Sequence, residues 1–337
     1  MVGSCGASRR TTACAVAFAV ACAVPAAAQM DMGAIFGSRM PPTRYRVSFD
    51  CEGHDDAALE SATDDVSPLR LGLSVSATLA KTDTSKLDLS VKGDHLWLDS
   101  DATLPLSATP VPDEFTGASL SLGWSTKLVS GRSVSIRLGA SSSSDEPFGD
   151  SDVSTYSLML FTMDDIADGR AWMFFLFGGS YMAELNYIPL PGVAYLRTGG
   201  SYTFVTGIPF VMGSWRGEKW SLTASYFPVT NVNLALAYRI LGPFRVKCGV
   251  ARKRASYLLY DMPEDEEDFA LYETRAYVAF SGFVARSLSF ELQAGYAFDR
   301  AAYQGEGFYA PGYESEGEAL DYRDAAYVSF RLRYMAR

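Results

Sequence analysis

Leu288-Ser289-Phe290-Glu291-Leu292-Gln293-Ala294-Gly295-Tyr296-Ala297-Phe298-Asp299 decides the fold of this chain. Apolar residues hold every second position from Leu288 to Phe298. Ser289, Glu291, Gln293, Gly295, Ala297 and Asp299 fill the places between and beyond them. A period of two sends each set to its own face of a β-strand. The final stretch repeats the pattern, with Ala326, Val328, Phe330, Leu332 and Tyr334 set against Tyr327, Ser329, Arg331 and Arg333. A water-soluble sandwich would pack such an apolar face inward. About ten such segments with an aromatic-rich apolar face instead suit a transmembrane barrel, in which lipid-facing and lumen-facing residues alternate.

Outward from that stretch, the N-terminus reads as an export signal occupying residues 1–28. Arg9 and Arg10 precede the apolar run Ala13 to Val24, and Ala26-Ala27-Ala28 offers a small-residue cleavage site before Gln29. The apolar run is too short to span a bilayer stably. Its removal takes away two arginines and no acids, so the net charge of −10 becomes −12. Cys5, Cys14 and Cys22 leave with it, and Cys51 and Cys248 remain. Cys248 falls on an apolar strand face and Cys51 at a strand end, so both are expected to be unpaired. Neither has metal-ligand spacing with His54 or His95, the only histidines. No metal and no cofactor are expected.

Residues 29–43 form a short leader without periodicity, and 44–337 read as one barrel domain. Strand-like segments cover about 44–50, 69–80, 86–92, 118–128, 132–140, 153–163, 170–183, 194–206, 219–228, 231–241, 243–257, 270–286, 288–300 and 324–335. The first of these and 194–206 are the weakest. Bacterial barrels close with an even number, so the expectation is an all-β antiparallel transmembrane barrel of about 12 strands, with 10 to 14 allowed. Connections alternate between short ones, such as Ser130-Gly131, Thr230-Asn231, Leu241-Gly242-Pro243 and Arg286-Ser287, and long polar ones. The long ones are Asp50 to Pro68, 93–116, Asp261 to Asp268 and Arg300 to Arg323. Tight periplasmic turns and long outside loops show this asymmetry. Glycines at 72, 123, 139, 178, 179, 199, 249, 282 and 295 read as strand bends or tight lumenal contacts.

From Tyr181 to Asp299 the chain resembles an uncharacterised family of bacterial outer-membrane β-barrel domains. Pro191-Gly192, Gly207-Ile208-Pro209-Phe210, Trp220-Ser221-Leu222, Tyr257-Leu258-Leu259-Tyr260 and Gly295-Tyr296-Ala297-Phe298-Asp299 carry the likeness. The resemblance implies a fold and an outer-membrane location. It implies no site residues.

Splitting the strands by face gives the functional expectation. Leu69, Leu71, Leu73, Val75, Leu120, Leu122, Trp124, Val134, Ile136, Leu138, Val232, Leu234, Leu236, Tyr238, Phe244, Val246, Cys248 and Val250 would meet lipid. The interleaved positions would meet the lumen. Their bases are Arg70, Lys92, Lys127, Arg137, Arg239, Arg245, Lys247, Lys253, Arg275, Arg331 and Arg333, and their acids are Asp88, Glu273, Glu291 and Asp299. A basic lumen concentrates anions, which makes small anionic solutes the candidate cargo of a passive pore. The structural alternative ties the same charges into cross-strand pairs inside a non-conducting barrel. A lipid-modifying enzyme using His54 or His95 is a remote alternative, since neither lies in a catalytic motif; no enzyme activity is expected. Phe330, Leu332 and Tyr334 make the closing strand resemble the signal read by the barrel-insertion machinery. The acidic balance and the absence of a motif argue against nucleic acid as a partner.

Overall fold

The computed structural model describes residues 44–55, 57–58, 65–99, 103, 110–180, 189–208, 210–227, 231–260, 268–305 and 318–336. The signal peptide, the leader and the acidic run from Asp261 to Glu267 lie outside them. Among the described residues, 16 strands close into one antiparallel ring. The first quarter is β1 Tyr45–His54, β2 Asp65–Lys81, β3 Ser85–Asp99 and β4 Glu114–Lys127. Next come β5 Ser133–Ser144, β6 Ser154–Ala167, β7 Arg170–Gly179 and β8 Leu190–Thr198. The chain continues through β9 Tyr202–Gly207, β10 Val211–Arg216, β11 Trp220–Phe227 and β12 Asn231–Leu241. It ends with β13 Phe244–Leu258, β14 Asp268–Ala285, β15 Leu288–Gln304 and β16 Ala325–Ala336. Two short segments, Ala57–Ala58 and Glu318–Tyr322, pair with β2 and β15.

Each strand pairs with its sequence neighbours, and β16 returns to β1 with Tyr45 opposite Ala336 and His54 opposite Tyr327. Closure removes the sheet edge, which hydrocarbon could not solvate. Local chemistry sets the turns. Between β6 and β7, Asp168 and Gly169 both have positive φ, 51° and 74°, the geometry of a two-residue hairpin turn that follows strand twist. A Cβ at Gly169 would approach the Thr198 carbonyl oxygen to 2.3 Å, so only glycine serves there.

The barrel is inside-out relative to a soluble protein. Leu120 and Leu138 are 51% and 53% exposed, and Leu73, Trp124, Phe174, Val278, Leu292, Tyr296 and Val328 are likewise exposed on the outer face. The wall is uneven in height. β14 has 18 residues, about 60 Å of strand, whereas β9 and β10 have 6 each, about 20 Å.

The count of 16 corrects the expected 12. Both weak segments are strands, and 194–206 is two, because Gly199-Gly200-Ser201 is a turn rather than strand interior. Val211–Arg216 is a further strand, masked in the sequence by the adjoining Gly207-to-Phe210 motif. The stretch 93–116 is not all loop: Gly93 to Asp99 completes β3 and Glu114 begins β4. Cys51 to His54 likewise belongs to β1, and Arg300 to Gln304 to β15. Inward-facing polar residues and loop residues share a composition, so only pairing separates them. The tight connection before Asn231 joins β11 to β12, which places it at the end that carries the long loops.

Candidate functional site: a charged lumen

Register builds the lumen row by row. One row of directly opposed inward residues runs Arg239–Arg245–Ser281–Glu291–Arg331–Asp50–Gly72–Asp94, from β12 around the ring to β3. From Glu291 onward, acid and base neighbour one another. Arg331 pairs with Asp50 and lies 3.9 Å from Glu291. Glu291 also accepts from Lys247 at 2.8 Å, and Asp94 accepts from Arg70 at 2.6 Å with Lys92 at 3.5 Å. The next rows toward the long loops meet at Arg275, which is 2% exposed. Its guanidinium forks onto Glu52 with two 2.5 Å bonds, pairs with Glu273, and lies 4.5 Å over the Tyr327 ring. Lys253 reaches the same Glu52 at 3.3 Å, and Arg300 lies 3.8 Å from Glu273.

By register, the eleven basic residues assigned to the lumen share the inward face: Arg70, Lys92, Lys127, Arg137, Arg239, Arg245, Lys247, Lys253, Arg275, Arg331 and Arg333. Among the described residues, Arg70, Lys92, Lys247, Lys253, Arg275 and Arg331 are ion-paired. Lys127, Arg137, Arg239, Arg245 and Arg333 have no acidic partner there, and all five lie in the half nearer the short turns. Glu273, Glu291 and Asp88 are inward as assigned, the last beside Lys86 at 2.7 Å. Asp299 is not. It occupies a bulge with φ of 51° and is exposed, 3.4 Å from the Thr274 hydroxyl, because the extra residue flips the alternation. Sequence reading missed Asp50, Glu52 and Asp94, all of which lie in or beside stretches read as connections.

A cavity of 440 Å³ opens between these rows. Its inward-facing lining includes the bases Arg70, Lys92, Lys247, Lys253, Arg275 and Arg331 and the acids Asp50, Glu52, Asp94 and Glu291. Toward the long loops, apolar residues of β3, β4, β13, β14 and β15 meet across the lumen. Phe115 of β4 stacks on Phe269 of β14 at 5.3 Å and meets Tyr257 of β13 at 4.4 Å, and Leu96, Leu98, Val111, Leu259 and Ala302 pack around them. Above this cluster the Tyr260 N–H donates to Asp145 Oδ1 at 2.9 Å, and Leu258 bridges to Ser144 across the ring. The wall from β6 to β11 differs again: Phe161, Met163, Met173, Leu196, Val205 and Phe227 point inward and are buried. Strands there are apolar on both faces, which hides the alternation.

The histidines sit differently from expectation. His54 belongs to β1, not to a connection, and its Nε2 lies 3.5 Å from Glu52 and 3.2 Å from Arg275. Glu52, His54 and Glu273 are close enough to share an ion, but the Arg275 guanidinium already sits on both carboxylates. His95 lies on the outer face of β3, with Nδ1 2.8 Å from Thr116 Oγ1 and Nε2 3.3 Å from Glu114. That order of hydroxyl, imidazole and carboxylate resembles a nucleophile relay. Among the described residues, however, Nε2 has no hydrogen-bond partner. Thr116 is laddered on both sides, so its flanking amides do not converge on an oxyanion position. Cys51 and Cys248 are both free. Phe330 and Tyr334 project outward from β16, and Leu332 shares their face.

No family model and no curated protein matches the chain. Solved structures do. An outer-membrane channel from Pseudomonas putida F1 aligns over 88% of this chain and 96% of its own, at 8% identity and a TM-score of 0.38. The P. putida toluene transporter TodX aligns over 88% and 91%, at 9% identity and 0.41. The KdgM porin aligns over 85% and 98%, at 9% identity and 0.27. At these identities and scores the likeness is one of general barrel architecture.

Proposed function

We propose that the protein is an outer-membrane channel for small solutes that favours anions. The apolar exterior supports the membrane setting, and charged side chains at membrane depth belong on the lumenal side of such a barrel. One observation carries the anion preference: among the described residues, five lumenal cations near the short turns lack acidic partners. Unneutralised charge inside low-dielectric walls concentrates counter-ions. Barrel convention places the short turns and both chain ends at the periplasmic side, so the basic mouth faces the periplasm. The outward alternation of Phe330, Leu332 and Tyr334 supports recognition of β16 by the barrel-insertion machinery.

The cluster around Phe115, Tyr257 and Phe269 favours a second reading, a barrel that does not conduct until its outer end is displaced. Planar-bilayer recording of refolded protein under a potassium chloride gradient separates the two. A reversal potential toward chloride that shrinks in Arg245→Glu supports the channel. Cation selectivity indifferent to Arg245→Glu would sink the anion preference, and silence in both wild type and Phe115→Ala would leave the non-conducting barrel.

A further inference from the structure

We propose that the short-turn end of the lumen holds an oxyanion subsite, formed by Arg245 and Arg333 with the hydroxyls of Ser281 and Ser289, that takes a phosphate-like dianion. The proposal rests on the anion-favouring reading and gives it a site and a ligand class. The alternation of acid and base along the lumenal row fails at one place. Arg239 stands directly opposite Arg245, and Arg216 is also within electrostatic reach of Arg245. Like charges facing one another across strands are destabilising. Glu218, in the turn beside Arg216, forms no ion pair with them among the described residues.

Beside this break lies a pocket of 250 Å³ bounded by Arg245, Ser281, Ser289, Glu291, Arg331 and Arg333. Register makes it a built arrangement: Arg245 faces Ser281 across one ladder, and Ser289 faces Arg333 across another. Glu291 would repel an anion, but Lys247 at 2.8 Å and Arg331 at 3.9 Å offset it. Arg331 is itself committed to Asp50. Among the described residues Arg245 and Arg333 form no ion pair, which leaves them as the uncommitted donors. A guanidinium fork matches two oxygens of a tetrahedral oxyanion, and serine hydroxyls donate to the others. The volume equals about eight waters at roughly 30 Å³ each, room for a small oxyanion with part of its hydration. Arg245, Ser281, Ser289 and Arg333 all share the lumenal parity, which favours a solute over a lipid headgroup as the ligand.

Titration calorimetry of inorganic phosphate into the detergent-refolded full chain at low ionic strength tests this. The expected result is one saturable site, weakened roughly tenfold in Arg245→Gln and again in Arg333→Gln. Arg170→Gln, a rim arginine on the opposite wall, should leave it unchanged. Should either arginine variant fail to refold, Ser281→Ala gives a smaller loss in the same direction. Unsaturable binding, or equal affinity in the variants that fold, would overturn the subsite. Chloride selectivity measured in the same preparations keeps the two ideas apart: selectivity without saturable phosphate sinks the subsite alone. Saturable phosphate without selectivity sinks the channel preference alone.

Discussion

Arg275 holds its charge almost without water by donating to two carboxylates while it lies over a tyrosine face. Removing one partner from such a cluster leaves charge stranded in low dielectric, which costs about 3–5 kcal/mol. Arg275→Met should therefore lower the denaturant midpoint of the refolded barrel, read by heat-modifiable gel migration, by a loss of that size. The triple change Arg275→Met, Glu52→Gln and Glu273→Gln should recover part of it, because the two carboxylates are no longer stranded, while the half-exposed Lys253 gives up its bond to Glu52. A triple variant as weak as Arg275→Met would show that the contribution is packing rather than charge. Arg275 was legible in the sequence because parity placed it off the apolar face of Ala276, Val278 and Phe280. Glu52 and Asp94 were not, since a polar residue facing a lumen and one in a solvated connection look alike until a ladder fixes them.

At the level of elements, strand contacts inside the lumen depend on glycine beside tyrosine. A Cβ at Gly295 would come 2.8 Å from the Tyr327 ring, and one at Gly249 would come 2.8 Å from the Tyr277 hydroxyl and 2.5 Å from a backbone carbonyl. Gly295→Ala should cost about 1–3 kcal/mol of stability by overpacking. Gly213→Ala, whose nearest contact would be Phe204 at 3.7 Å, should stay within about 0.5 kcal/mol. Equal effects in a denaturant series would contradict the close packing. Strand boundaries were the less readable part of the fold. β14 and β15 announce themselves by alternation, whereas β6 carries Leu158 and Leu160 outside with Met159 and Phe161 inside. The turn at Gly199 and Gly200 reads as a glycine-bearing strand until its pairing is seen.

At the scale of the whole molecule, apolar side chains of β3, β4, β13 and β14 meet across the lumen toward the long loops, and its basic residues gather toward the short turns. Phe115 and Phe269 meet across the ring, so Phe115→Ala together with Phe269→Ala should raise the swelling rate of proteoliposomes in a small sugar. An unchanged rate would locate the constriction elsewhere. The account stands or falls on which face of the sheet meets lipid. Spin labels placed singly from Leu288 to Phe298 in reconstituted membranes measure this directly. Oxygen should relax labels at 290, 292, 294 and 296 most strongly, and a water-soluble nickel chelate those at 289, 291, 293 and 295. The reverse phase, or no alternation, would contradict a barrel with an apolar exterior and a charged lumen.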